Sequence, residues 1–183
     1  LRGTMHIFAE ADLPLFLHSG CRYRSRDWTV PSFWNQRPGW ALTPQRQTYF
    51  SNLIVDVLTQ GPLTREALKD RCRAAGMTQA EEESMFHPWG GGIRELCERG
   101  FLCGTVSEEK AFRLCPAFIP MEEQDALLEQ TRRYFTNYGP ASVRDAAYYF
   151  CTSQAEIKKQ LARLPVEAAE CEGQRLFSLD SGR

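Results

Sequence analysis

Residues 60–71 read QGPLTREALKDR and residues 138–149 read YGPASVRDAAYY. Each places a Gly-Pro pair ahead of a hydroxyl residue, Thr64 or Ser142, with an acidic residue close behind it. Glycine ends a helix, proline cannot continue one, and a Ser or Thr so placed accepts a hydrogen bond from the first turn of the next helix. Both stretches therefore read as corners between two helices, and their recurrence points to a repeated unit.

Working outward from the first corner, TPQRQTYFSNLIVDVLTQG begins with Thr43 as N-cap and Pro44 at the first helical position. Phe50, Leu53, Ile54, Val57 and Leu58 recur at helical spacing, and Gly61 is the stop. The next helix is capped by Thr64, carries Leu68 and Cys72 on one face and ends at Gly76. A third helix is expected over ESMFHPWGGGIRELCERG, followed by two short strands in FLCGTVSEEKAFRLCP. Gly90, Gly91 and Gly92 weaken a helix interior by roughly 1 kcal/mol each relative to Ala, so the run marks a distorted helix start or a close backbone approach.

The second corner has the same surroundings. EEQDALLEQTRRYFTNYG precedes it, SVRDAAYYFC follows with Ser142 and Asp145 as a capping box, and SQAEIKKQLARL is a third helix. VEAAECEGQRLFSLD then supplies two strands about an acidic turn, Leu176 to Leu179 being the returning one. Helix, helix, helix, hairpin is the winged-helix order. The fold class is thus α+β, mainly helical, with tandem winged-helix domains: residues 1–43 as an N-terminal strand, short helix and basic, aromatic connector, 44–120 as the first winged helix and 121–183 as the second. Asp12 is the expected cap of the short N-terminal helix, which stops at Gly20.

In helix-turn-helix proteins the third element lies in the major groove and the wing or loops grip phosphate. Lys158, Lys159 and Arg163 occupy that element in the second unit, Lys159 and Arg163 sharing a face, and Arg94 lies in it in the first. An ordinary solvated helix face is the alternative. The densest positive charge lies in CRYRSRDW, where Arg22, Arg24 and Arg26 alternate beside Tyr23 and Trp28. On an extended segment all three point to one side and suit a nucleic-acid backbone. Otherwise they pair with local acids such as Asp27. The net charge of −1, from 22 basic and 23 acidic residues, argues against a uniformly basic DNA-binding surface.

Other function classes lack their parts. No apolar run approaches the ~20 residues that span a bilayer, so a cytoplasmic protein is expected. Seven cysteines form no C-x-x-C pair and read as reduced thiols rather than disulfides or a metal site. The sequence holds no G-x-S-x-G, P-loop, H-E-x-x-H or dinucleotide fingerprint and calls for no cofactor. His6 shares one strand face with Arg2 and Thr4, where a structural role competes with a catalytic one.

LRGTMHIF followed by AEADLPLF, and YFTNYGPASVRDAAYYF followed by IKKQLARL, resemble the AlkZ-like (YcaQ-like) winged-helix DNA glycosylases. The similarity runs over most of the chain. It implies tandem winged helices that bind double-stranded DNA, and excision of alkylated or crosslinked bases; a monomer is expected. Family members use a Gln-x-Gln or Gln-x-Asp motif preceding the RGT strand. Gln45-Arg46-Gln47 has those letters in the wrong place, so no catalytic residue carries over; Arg2, Thr4 and His6 match the family's RGT-x-H and neighbour the motif. The expectation is a fragment that binds DNA weakly and excises nothing; the alternative is a non-enzymatic winged-helix regulator or protein-interaction module.

Overall fold

The computed structural model describes residues 9–106 and 109–180, so the strand expected over residues 1–8, with Arg2, Thr4 and His6, lies outside the described residues. The helices and strands are, in order, α1 (Leu13–Phe16), α2 (Pro44–Val57), β1 (Leu63–Thr64), α3 (Arg65–Ala74), α4 (Gln79–Met85), α5 (Gly91–Glu98), β2 (Leu102–Gly104), β3 (Ala111–Leu114), α6 (Glu123–Asn137), β4 (Ala141–Ser142), α7 (Val143–Phe150), α8 (Gln154–Leu161), β5 (Glu167–Cys171) and β6 (Gln174–Ser178). The fold is α+β, with two small antiparallel sheets. Two compact units divide it: Cys21–Phe118, and the residues up to Gly20 joined to those from Ile119 onward.

The Gly-Pro corners explain why both sheets have the same topology. In the first, Thr64 accepts a hydrogen bond from the Ala67 N–H at 3.2 Å and so starts α3. The same residue belongs to β1, which pairs antiparallel with β3 as Leu63↔Phe112 and Thr64↔Ala111. In the second, Ser142 and Asp145 form the expected capping box, and β4 pairs with β6 as Ala141↔Phe177 and Ser142↔Leu176. One short stretch therefore begins a helix and adds a strand, giving sheet orders β1-β3-β2 and β4-β6-β5.

In the first unit Thr43 and Pro44 open α2 as expected, Thr43 accepting from the Arg46 N–H. Phe50, Ile54 and Leu58 are buried with Leu68, Met85, Ile93 and Leu96. The single third helix is instead two. Thr78 and Glu81 make a capping box that starts α4, and Pro88, which has no N–H to donate, lies in the break before α5. The glycine run resolves to close packing: a Cβ on Gly90 collides with the Trp34 ring, on Gly91 with the Ser84 carbonyl and on Gly92 with the Met85 sulfur. Gly91 also has φ +78°, a left-handed value that glycine adopts without penalty.

The irregular connector is built into this unit. Trp28 and Leu42 are members of its core, and Trp34 is buried with its indole N–H donating to Glu98 at 2.8 Å. Arg99 holds the connector in place: its guanidinium donates to the carbonyls of Ser25 (2.8 Å) and Asp27 (3.0 Å) and stacks 4.3 Å from the Trp28 ring.

In the second unit α6 contributes Ala126, Tyr134 and Phe135 to the interior, facing Ala146 and Ala147 of α7 and Ile157 and Leu161 of α8. The short helix α1 lies against α6. Asp12 does not cap α1; its carboxylate pairs with Arg133 at 2.9 Å. Ser19 supplies a cap elsewhere, its hydroxyl accepting from the Glu123 N–H at 2.9 Å. The returning strand is Gln174–Ser178, two residues earlier at its start than the sequence indicates, and Glu172 and Gly173, at φ +50° and +72°, make the tight turn before it.

Candidate nucleic-acid interface

The sequence-derived basic residues meet different fates. Arg24 has φ +51°, so the segment turns and the expected alternation of Arg22, Arg24 and Arg26 on one extended face is not kept. Arg22 donates to the Pro31 carbonyl (2.9 Å), Arg24 to that of Cys115 (2.7 Å) and Arg26 to the Asn52 side chain (2.6 Å). Asp27 pairs with none of them; it accepts from Thr29, which holds its carboxyl below the usual range. The three guanidinium groups remain solvent-exposed, so each keeps donors for a further acceptor.

Arg94 of α5 is partly buried and ion-paired with Glu98 one turn on, at 3.2 Å. In the second unit Lys159 and Arg163 do share a side, and that side looks toward the acidic start of α6. Lys159 donates to Gln124 at 3.0 Å, while Arg163 lies 3.8 Å from Asp125. Lys158, one position earlier, points to solvent. The hairpin β5–β6 is largely exposed and acidic on its outer strand, where Glu167 and Glu170 precede Glu172 of the turn.

Residues not singled out from sequence surround a shallow concavity at the α7–α8 corner. Ala147, Tyr148, Cys151, Thr152 and Gln154 line it, and the Tyr148 side chain is 76% exposed. The AAYYF run gives no sign of this, because a tyrosine on a helix belongs to the core or the surface according to its angle about the axis. Phe150, half-buried with its ring 5.5 Å from that of Tyr134, packs on the second unit's core; Tyr149 lies 4.9 Å from the Tyr134 ring yet is 41% exposed, and Tyr148 is exposed further.

The described interior holds several hydrogen-bonded polar groups. Gln47 is buried and donates its amide to Glu95 at 2.9 Å, and Arg46 pairs with Glu81, so two of the three residues of Gln45-Arg46-Gln47 serve packing while Gln45 is exposed. Burial pushes the thiols of Cys72 and Cys97 up to about 12, away from nucleophilic thiolate. No cluster of three metal-ligating side chains occurs among the described residues, and no described helix is long and apolar enough to cross a membrane.

The described residues thus combine two compact units with exposed arginines, a solvent-facing lysine and an open helical corner. Sequence comparison gives the class: residues 1–182 match the family described as DNA glycosylase AlkZ-like, and the chain belongs to that family. It is 26% identical over 192 residues to an interstrand DNA cross-link repair glycosylase of Streptomyces sahachiroi, covering 98% of this chain and 50% of that protein. The solved structure of S. sahachiroi DNA glycosylase AlkZ shares the fold, with a TM-score of 0.66 at 21% identity over 98% of this chain and 50% of the other. The chain thus spans half the length of the relative it matches.

Proposed function

We propose that this chain is the tandem winged-helix, DNA-binding part of a glycosylase that acts on alkylated or crosslinked bases in duplex DNA. The observation that carries it is the double use of Thr64 and Ser142. In each unit one residue caps a helix and also closes the sheet, so the final hairpin folds back beside the unit's helices, as a wing does beside a recognition helix. Family membership supports the enzyme class, and the name of the crosslink-repair relative supports the lesion class.

This chain supplies binding rather than hydrolysis of the glycosidic bond. Its one Gln-x-Gln triplet is Gln45-Arg46-Gln47, and the Gln47 amide is sequestered against Glu95. Arg22, Arg24 and Arg26 of the first unit and Lys158 of the second are the phosphate contacts, with Arg94, Lys159 and Arg163 contributing once their partners are displaced. The acidic hairpin favours a second reading, in which β5–β6 is a protein-interaction surface and the chain a non-enzymatic module.

Fluorescence anisotropy with a labelled duplex, combined with an assay for base release from alkylated and crosslinked duplexes, tests this. Salt-sensitive duplex binding without base release by this chain is the expected result. Base release by the chain alone overturns the division of labour, and absence of duplex binding at low salt overturns the DNA-binding reading.

A further inference from the structure

We infer that the α7–α8 corner is a contact site for an unpaired nucleotide of DNA, in which Tyr148 stacks on the base and Arg144 and Lys158 meet the neighbouring phosphates. The inference rests on the DNA-binding reading above and adds the place and the chemistry. The corner is a hydrogen-bonded turn. Cys151 takes φ +53°, the Thr152 N–H donates to the Ala147 carbonyl at 3.0 Å, and Ser153 caps α8 by accepting from Glu156 at 3.1 Å. Phe150 packs on the second unit's core and the partly exposed Tyr149 ring lies 4.9 Å from that of Tyr134, so α7 ends against the core while Tyr148 projects from it.

Charge decides the occupant. Arg144 lies one turn before Tyr148 on α7, and Lys158 one turn after Gln154 on α8; both are exposed. The nearby acids already accept other hydrogen bonds, Asp145 within the α7 capping box and Glu156 from the Gln160 amide at 2.7 Å, while Asp145 still feels the Arg144 charge. An exposed aromatic ring with one cation a turn before it on α7 and another a turn into α8 suits a base and its neighbouring phosphates, and Thr152 and Gln154 line the concavity beside it. Stacking on Tyr148 needs a base face that paired, stacked DNA does not offer, so the ligand is an unpaired nucleotide rather than intact duplex.

The test uses this chain with two labelled probes at low salt, an oligothymidylate of roughly 12 nucleotides and a blunt duplex. Tyr148→Ala is expected to weaken oligothymidylate binding about tenfold, while Tyr148→Phe and Tyr148→Trp retain it. Arg144→Gln and Lys158→Gln are each expected to lower the salt slope for that probe by about 0.7. Binding by a folded Tyr148→Ala equal to that of the unaltered chain overturns the inference, as does Tyr148→Phe falling with Tyr148→Ala. Duplex binding without oligothymidylate binding overturns this site and leaves the proposed function standing; binding to neither probe overturns both.

Discussion

The Glu95 carboxylate accepts from the Arg99 guanidinium at 3.0 Å, one helical turn apart on and just beyond α5, and both side chains are only 3% exposed. Neither charge is solvated, so each depends on the other and on the groups around them: Gln47 for Glu95, and the Ser25 and Asp27 carbonyls for Arg99. Removing one partner strands a buried charge. Glu95→Ala is therefore expected to destabilise the protein by about 3–5 kcal/mol, read as a lowered midpoint in chemical denaturation. Because Arg99 also holds Trp28, the tryptophan fluorescence of the folded state should shift as well.

Acid should unfold this protein through two carboxylates. Hydrogen bonding from Arg46 holds Glu81 down at about 2, and hydrogen bonding from Arg132, then Arg133, holds Glu129 at about 2, against an ordinary 4.5. A depressed folded-state value means that the stabilisation is complete above pH 4.5 and is lost as pH falls from there toward about 2. Thermal midpoints measured across this interval should fall steadily. Glu81→Gln, which can still cap α4, should be less stable at neutral pH and show a flatter decline; an unchanged slope would contradict the pairing.

The parts of this fold that are legible in sequence are the ones fixed by local chemistry. Thr43, Thr64 and Ser142 cap their helices because a hydroxyl beside a Pro or a Gly-Pro turn has few other uses. The break in the third helix of the first unit was hidden, since the Thr78 box starts a helix whose continuation past Pro88 is decided by Trp34 packing on Gly90. Periodicity also places Lys159 and Arg163 on one side correctly. It does not say what covers that side, and Gln124 and Asp125 come from a helix about 35 positions away. The connector arginines were misread for a related reason: one left-handed residue, Arg24, is enough to undo a two-residue alternation. Tyr148 was missed because exposure is a property of the packed unit.

The glycine run gives a graded prediction. Gly91 and Gly76 have similar left-handed backbones, φ +78° and +83°, but a Cβ meets the Ser84 backbone at the first and nothing within 4 Å at the second. Gly76→Ala should therefore cost about 1–2 kcal/mol, the price of conformation alone. Gly91→Ala adds a collision with main chain that cannot swing aside, so its loss in urea denaturation should exceed that of Gly76→Ala. Equal losses would show that α4 and α5 can separate without consequence.

Thiol chemistry separates surface from interior without any mutation. Cys151 and Cys171 are exposed, whereas Cys72 and Cys115 are buried; desolvation raises the Cys72 thiol, and hydrogen bonding with Cys103 followed by desolvation raises that of Cys115. Cys97 is raised to about 12, chiefly by desolvation. The thiolate is the reacting species, so at pH 8 all three are protected by protonation, and Cys72 and Cys115 by burial as well. Brief alkylation of the folded protein followed by peptide mass mapping should mark Cys151 and Cys171 first, leaving Cys72, Cys97 and Cys115 unmodified until denaturant is added. Because Cys151 lines the α7–α8 concavity, pre-incubation with the oligothymidylate probe should slow its labelling relative to Cys171, on the outer hairpin strand. Equal rates with and without the probe would place the bound nucleotide elsewhere.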